Sequence, residues 1–349
     1  MAKGERNLGW SGFFRAFTVL CAIMLLLAQR GQELVETGTG SWQVLSVYEG
    51  LTSWAIPALF LLWGMFALEG GGRPSFAGSM LHLVLPTFGL LVFWGAVYAV
   101  VSTLLGGNSV GLAGVWQALV SAAKGNTWHH LWVLYPLIGL YLMQPVIHRF
   151  TSTAGRGEVL YFLALCFLFA SLLPLWAVFR PDSVVVLQLE RLRVHIVLGW
   201  TGCYVAGWYL RHYVISRLAE ALIYVAGIVG MILTLMGDRF FGGGRELWYG
   251  YTSPNVLSTA LAICVLFRYV LGVSDERSRR TTMYALGSYA FGIYLFHQLW
   301  LLIFSHFGFG VLSFSPVLSV PVLALVVYLL SIPFAWLTNR IPGIGGYLT

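Results

Sequence analysis

Two adjacent histidines, His129 and His130, stand at the start of an apolar stretch, HHLWVLYPLIGLYLMQPVIHRF. An imidazole titrates near neutral pH, and it is the side chain most often used to take a proton from a hydroxyl group. On a helix, His130 turns away from Leu131 and Trp132 and can reach a bundle interior, whereas His129 points about 100° away. The same residues also suit a plain interfacial role, with rings half in water like that of Trp128.

Few other ionisable side chains fall inside apolar stretches, where such groups are costly unless they serve a function or form a buried pair. The most informative is His297, which lies in the middle of SYAFGIYLFHQLWLLIF with no charged residue nearby. It is either a second candidate for proton transfer or a neutral, hydrogen-bonded core histidine. The others are Arg15, His82, Glu158, His195, Glu220 and Arg268.

The amino-acid composition indicates whether these side chains lie in a soluble protein or in a membrane. Hydrophobic residues make up 58% of the chain and charged residues 9%, with a mean hydropathy of +0.80, whereas soluble domains are about 25% charged. The chain is therefore predicted to be a membrane protein with lipids around it. Its net charge of +7 does not predict a nucleic-acid partner, because the basic residues lie in short loops between apolar runs, as the positive-inside rule requires.

The cysteines point to neither a disulfide framework nor a metal site. All four lie inside apolar runs, and none forms a CxxC pair. We expect no metal cofactor. They are Cys21, Cys166, Cys203 and Cys264.

A helix needs about 20 apolar residues to cross a bilayer, and this length predicts about ten transmembrane helices. The apolar runs are too long and too continuous for the strands of a membrane β-barrel, so the predicted fold is an all-α polytopic bundle forming one domain over residues 1–349. The predicted spans are 13–29, 51–69, 80–105, 130–150, 158–179, 193–212, 217–236, 252–272, 283–304 and 316–338.

The distribution of Lys and Arg predicts the orientation. With an even number of spans both termini lie on one side, and the loops on that side hold more basic residues than the opposite loops. The positive-inside rule therefore places both termini in the cytoplasm. The segment GLAGVWQALVSAAKG, between the third and fourth spans, is too short to cross and is predicted to lie at the outer interface.

Five stretches resemble, in order, segments of the acyltransferase 3 family of integral membrane O-acyltransferases. SWAIPALFLLWGMFAL with Pro57 and HLVLPTFGLLVFWGAVY with Pro86 are similar to the second and third spans of the family. HLWVLYPLIGLYLMQPVI resembles the fourth span, YTSPNVLSTALAICVLFRY the eighth, and GSYAFGIYLFHQLW the penultimate one. The resemblance covers the chain and also fits its length and its predicted number of helices.

The resemblance implies a reaction and its substrates. Members transfer an acyl group, usually acetyl from acetyl-CoA, to a hydroxyl of a cell-surface or lipid-linked glycan, and they lie in the bacterial cytoplasmic (inner) membrane. Such a reaction needs a base for the hydroxyl proton, donors for the thioester oxygen and a cation for the CoA phosphates. Arg15 matches the arginine that the family carries in its first span, so the resemblance assigns it to the acyl donor.

The sequence departs from the family at three functional positions. The family has a histidine eleven residues after its first-span arginine, where this chain has Leu26, and Trp63 stands in place of a serine at the end of the second span. Two arginines before the third-span proline are missing, and only His82 lies near that place. The predicted base is therefore His130, with His297 second, and His82 joins Arg15 as a donor-binding candidate.

The acceptor site is predicted in two places. Trp132 lies beside His130, and the segment QLERLRVH brings Arg191, Arg193 and His195 to the outer end of the sixth span, where an anionic sugar can be held. The alternative for this segment is an ion-pair cluster that satisfies itself at the headgroups.

Two other functions stay open. One is a catalytically silent acyltransferase-like scaffold that binds a glycan or a partner complex. The other is a multi-span transporter, although the chain lacks paired Gly or Pro interruptions in corresponding halves. Transfer from acetyl-CoA by purified protein separates the enzyme from both.

Overall fold

The computed structural model describes residues 9–68, 75–183, 188, 199–271 and 286–341, and within these residues the regular structure is entirely helical. Three short segments depart from α-helix: π-helical turns at Met80–Val84 and Leu168–Leu172, and a 3₁₀ turn at His129–Val133. The helices are α1 Gly9–Gln32, α2 Gly40–Thr52, α3 Ala55–Ala67, α4 Phe76–Ser79, α5 Leu85–Leu105, α6 Leu112–Ala123, α7 Leu134–Thr153, α8 Arg156–Phe167, α9 Leu173–Phe179, α10 Thr201–His212, α11 Arg217–Phe241, α12 Arg245–Tyr249, α13 Pro254–Tyr269, α14 Ala290–His306 and α15 Pro316–Asn339.

Eight helical stretches of the described residues are long and apolar enough to cross a membrane. They confirm the prediction of an all-α polytopic membrane protein, and they match eight of the ten predicted positions. The stretches are Trp10–Gln32, Gly40–Ala67, Phe76–Leu105, His129–Thr153, Arg156–Phe179, Arg217–Phe241, Arg245–Tyr269 and Pro316–Asn339.

The two remaining predicted spans, 193–212 and 283–304, lie partly outside the described residues. Their described parts are α10 and α14, which are shorter than the 18 residues used to recognise a span. The segment predicted not to cross forms α6, whose 12 residues are too few for a bilayer. The count of ten, the cytoplasmic termini and the single domain stay predictions.

The second span begins earlier than predicted, at Gly40 instead of residue 51. The prediction placed Glu49 in the loop before the span. In the structure Glu49 forms an ion pair with Arg245, and both side chains are largely buried. The two charges neutralise each other, which allows the helix to continue through this position.

The contacts divide the chain into two compact units. The first unit holds residues 1–18, 47–73 and 146–284, and the second holds residues 19–46, 74–145 and 285–349. Helices α1, α2 and α7 each contribute residues to both units.

In the first unit, glycines bring helix backbones into direct contact. A Cβ atom on Gly64 of α3 would lie 1.7 Å from the main-chain oxygen of Tyr204, and one on Gly207 of α10 would lie 1.8 Å from that of Leu61. Neither position has room for a methyl group. Small residues allow the same close approach between α11 and α13, where Gly227 meets Ala262. Such packing is typical of membrane helices, which associate through close contact because burial from lipid provides little driving force.

In the second unit, aromatic side chains fill the space between α5, α14 and α15. The rings of Trp94 and Phe296 meet edge to face with centroids 4.6 Å apart, and Phe296 in turn contacts Phe334 at 5.7 Å. Tyr98 is completely buried on α5. Tyr98 also contacts the ring of His130, so this aromatic cluster borders two buried histidines.

Candidate functional site

His130 and His297 lie side by side in the second unit, although they are distant in sequence. Their ring centroids are 5.1 Å apart, and the ring planes are inclined at 80°. His130 is 2% exposed on the 3₁₀ turn before α7, and His297 is 0% exposed on α14, whereas His129 is exposed. The structure thus brings together the two predicted base candidates, which we call the histidine pair.

Two tyrosine hydroxyls form hydrogen bonds with the main chain of the segments that carry the histidine pair. The Tyr294 hydroxyl donates to the main-chain oxygen of His130 at 2.7 Å, and the Tyr98 hydroxyl donates to the main-chain oxygen of Leu295. The Tyr98 ring also contacts the His130 ring, with centroids 5.0 Å apart. The sequence analysis did not select either tyrosine. Tyr294 could have been selected because it lies one helical turn before His297 and carries a second polar group on the same side of the helix.

The hydrogen bonds of the pair define its chemistry. Nδ1 of His297 bonds to the main-chain oxygen of Tyr294, and because a carbonyl oxygen only accepts, Nδ1 carries the hydrogen. In the neutral ring, Nε2 of His297 therefore presents its lone pair. Neither this atom nor the two ring nitrogens of His130 has a hydrogen-bond partner among the described residues, and all three are buried. In a neutral His130 ring one of the two nitrogens is a donor and the other an acceptor, so the pair presents one N–H and two lone pairs to a ligand or a water molecule. Buried polar atoms are nearly always paired, and these three are exceptions among the described residues.

This geometry changes the ranking of the two candidates. The sequence analysis placed His130 first because it stands near the end of a span. The main-chain bond to His297 fixes both its tautomer and its ring orientation, an arrangement that general bases commonly use. His297 Nε2 is therefore the better-defined proton acceptor, with His130 beside it.

Arg15 lies in the first unit against an aromatic ring that it shares with a second arginine. Its guanidinium carbon is 3.7 Å from the ring centroid of Phe66 on α3, and that of Arg211 on α10 is 5.3 Å from the same centroid. Arg211 also donates to the main-chain oxygen of Met65 at 3.0 Å. Cations are attracted to the face of an aromatic ring, and here one ring interacts with two positive charges. We call Arg15 and Arg211 the arginine pair.

The arginine pair has the chemistry of an anion site. Guanidinium groups bind phosphate oxygens through paired N–H donors, and two of them suit a ligand that carries several phosphates. Arg15 is half-buried against Phe66, and its role in binding the donor stays a prediction. The sequence analysis did not select Arg211. Its position at the last turn of an apolar helix concealed its proximity to Arg15.

Two of the remaining predicted site residues are described by the structure and three are not. His82 is exposed on the π-helical turn Met80–Val84 and belongs to the second unit, whereas Arg15 belongs to the first. Trp132 is half-buried on the same 3₁₀ turn as His130. The predicted acceptor residues Arg191, Arg193 and His195 lie outside the described residues.

Two positions at which the sequence analysis expected a polar side chain from the resemblance are apolar in the structure. Leu26 is buried on α1. Trp63 on α3 packs edge to face against Phe60, with ring centroids 5.1 Å apart. Within the described residues, His, Cys, Asp and Glu side chains form no group of three that could hold a metal ion.

The sequence matches the model of one known protein family. A family model described as an acyltransferase domain, that of the acyltransferase 3 family, matches residues 20–340. The matched stretch includes the histidine pair and His82, while Arg15 lies just before it. No curated protein and no solved structure matched the chain. The family model covers most of the sequence, as the order of the five resembling stretches predicted, and the chain therefore belongs to the acyltransferase 3 family of membrane acyltransferases.

Proposed function

We propose that this protein transfers an acetyl group from acetyl-CoA to a hydroxyl of a cell-surface or lipid-linked glycan, in the cytoplasmic membrane of a bacterium. The observation that carries the proposal is the histidine pair, whose three buried ring nitrogens lack partners among the described residues. A purely structural pair of histidines would be expected to satisfy these atoms. In a member of an acyltransferase family, proton transfer is the role that makes use of them.

In the proposed reaction, Nε2 of His297 takes the proton of the acceptor hydroxyl. The hydroxyl oxygen attacks the carbonyl carbon of the thioester, and the carbon–sulfur bond breaks. The proton then passes to the departing thiolate, so the products are the acetyl ester and CoA with a free thiol. The ring centroid of His130 lies 5.1 Å from that of His297, and His130 orients the hydroxyl or relays its proton.

The arginine pair is proposed to hold the phosphates of the donor. Two guanidinium groups against one aromatic ring provide donors for a ligand with several phosphates, and Arg15 is the residue that the family resemblance assigns to this task. His82 remains a weaker candidate for the same ligand because it is exposed and alone on its turn. Trp132, half-buried beside His130, is proposed to contact the acceptor sugar, together with Arg191, Arg193 and His195.

A silent scaffold is the second candidate, and one observation favours it. Leu26 is buried and apolar at the position of the base in the family. If the chain has lost catalysis, it binds a glycan or a partner complex without acyl transfer. The two candidates then differ in whether the histidine pair affects a chemical product.

The test uses purified protein in detergent with acetyl-CoA labelled in its acetyl group and a glycan acceptor. Formation of labelled glycan and of free CoA thiol is followed for the wild type, His130→Ala and His129→Ala. The wild type and His129→Ala should form product at the same rate, and His130→Ala should form it more slowly. Product in none of the three, with folded protein throughout, would support the silent scaffold. Equal product in all three would make His130 an interfacial residue.

A further inference from the structure

A long apolar groove runs along the first unit between α8, α10, α11 and α13. Its volume is about 520 Å³, within the range of ligand pockets in proteins. Small side chains create the space, including Ala164 on α8, Ala206 on α10 and Ala219 on α11. The proposed acyl transfer uses none of these residues.

The groove follows the direction of the helices. Along α8 and the turn after it, the lining residues extend from Arg156 to Ala170, which corresponds to about 21 Å at 1.5 Å per residue. Helix α10 runs in the opposite direction beside them, because Arg156 bonds to Tyr209 while Gly202 lies against Cys166. Half the hydrocarbon thickness of a bilayer is about 15 Å. A chain lying in the groove would thus extend from one interface past the middle of the membrane.

One end of the groove carries a positive charge. Arg156 donates through Nε to the Tyr209 hydroxyl at 3.0 Å and through an Nη to the main-chain oxygen of Val214 at 3.1 Å. These bonds use two of the five N–H donors of a guanidinium, and Arg156 is exposed. None of the described residues that line the groove is acidic. Two carboxylates near lining residues in the sequence are engaged elsewhere: Glu158 accepts from the Gly155 N–H, and Glu220 pairs with Arg217.

We propose that this groove binds one acyl chain of an anionic phospholipid, with the lipid phosphate on Arg156. The groove is apolar along its length and positive at one end, which is the complement of a lipid with a hydrocarbon tail and a negative headgroup. Its length suits a single extended chain and not a folded ligand. The proposal concerns a site separate from the histidine pair and the arginine pair, and it does not depend on acyl transfer.

The experiment measures lipid adducts of the purified full-length protein by native mass spectrometry. Phosphatidylglycerol and phosphatidylcholine with identical chains are titrated separately. The wild type should retain one phosphatidylglycerol with about fivefold higher affinity than phosphatidylcholine, the effect expected of one arginine at a headgroup. Arg156→Gln should remove this preference, and Arg156→Lys, which keeps the charge, should retain it. Arg149→Gln is the matched control, because Arg149 is an exposed arginine of the same unit that does not line the groove.

A second pair of variants tests the groove itself. Ala164→Phe should fill it and weaken the binding of both lipids, whereas Ala221→Phe, on an exposed position of α11 outside the lining, should not. Equal affinity of the wild type for the two lipids, or unchanged binding in Ala164→Phe, would overturn the proposal. So would release of the bound lipid by octanoyl-CoA but not by CoA, because that result would assign the groove to the acyl chain of a donor.

Discussion

In the histidine pair, three ring nitrogens are buried without a hydrogen-bond partner in the described part of the chain, whereas in the arginine pair both guanidinium groups rest on the face of Phe66. Both arginines thus interact with the protein through their charged groups, whereas only one of the four ring nitrogens of the histidine pair is hydrogen-bonded to a described residue. The difference suggests separate tasks. A residue that binds a ligand and releases it unchanged can be supported by the protein, but a residue that exchanges a proton must keep an open position for it.

The largest expected effect comes from the histidine pair. His297→Ala should lower the rate of acetyl transfer by about 100-fold or more, the usual contribution of a positioned general base, and should reduce it more than His130→Ala does. The reason is the fixed tautomer of His297, which His130 lacks. The measurement is the turnover rate at saturating acetyl-CoA. A smaller loss in His297→Ala than in His130→Ala would restore the original ranking.

The arginine pair should act on binding of the donor. Arg15→Ala should raise the KM for acetyl-CoA about tenfold, as expected for the loss of a charge-assisted hydrogen bond, with little change in kcat. Arg211→Ala should have a similar effect, because both arginines lie on the same ring. Thermal stabilisation by acetyl-CoA should decline in parallel. A change in kcat alone would contradict the separation of tasks between the two pairs.

Tyr294 tests how precisely the histidine pair must be held. Tyr294→Phe removes the hydroxyl that donates to the main-chain oxygen of His130, and it should lower kcat about fivefold while leaving the KM for acetyl-CoA unchanged. The informative readout is the pH profile of kcat. It should shift in Tyr294→Phe if the tyrosine positions the pair, and it should keep its shape if the tyrosine only stabilises the fold.

The smallest effect is expected at His82. Because this residue is exposed on the π-helical turn before α5, His82→Ala should change the KM for acetyl-CoA by less than about twofold. A loss comparable to that of Arg15→Ala would show that His82 belongs to the donor site, as the sequence first suggested. The same kinetic assay serves both variants.

The sequence predicted those features that depend on local composition. Long apolar runs predicted ten spans, eight of which match helices of the described residues, and helix geometry indicated that His130 can reach a bundle interior, where it is buried. The contacts between residues distant in the chain were not predictable. Nothing local indicated that His130 meets His297 or that Arg211 shares a ring with Arg15. The early start of the second span was missed for the same reason, because Glu49 is neutralised by an arginine far along the chain.

The unpaired nitrogens of the histidine pair also bear on how such an enzyme changes over evolution. Leaving buried polar atoms unsatisfied reduces the free energy of unfolding, so an apolar ring in place of either imidazole should raise the melting temperature while removing the proton acceptor. Selection for folding alone would then favour this replacement. Relatives that have stopped transferring acyl groups are expected to carry Phe or Leu at the positions of His130 and His297, and relatives that retain both imidazoles are expected to be active enzymes.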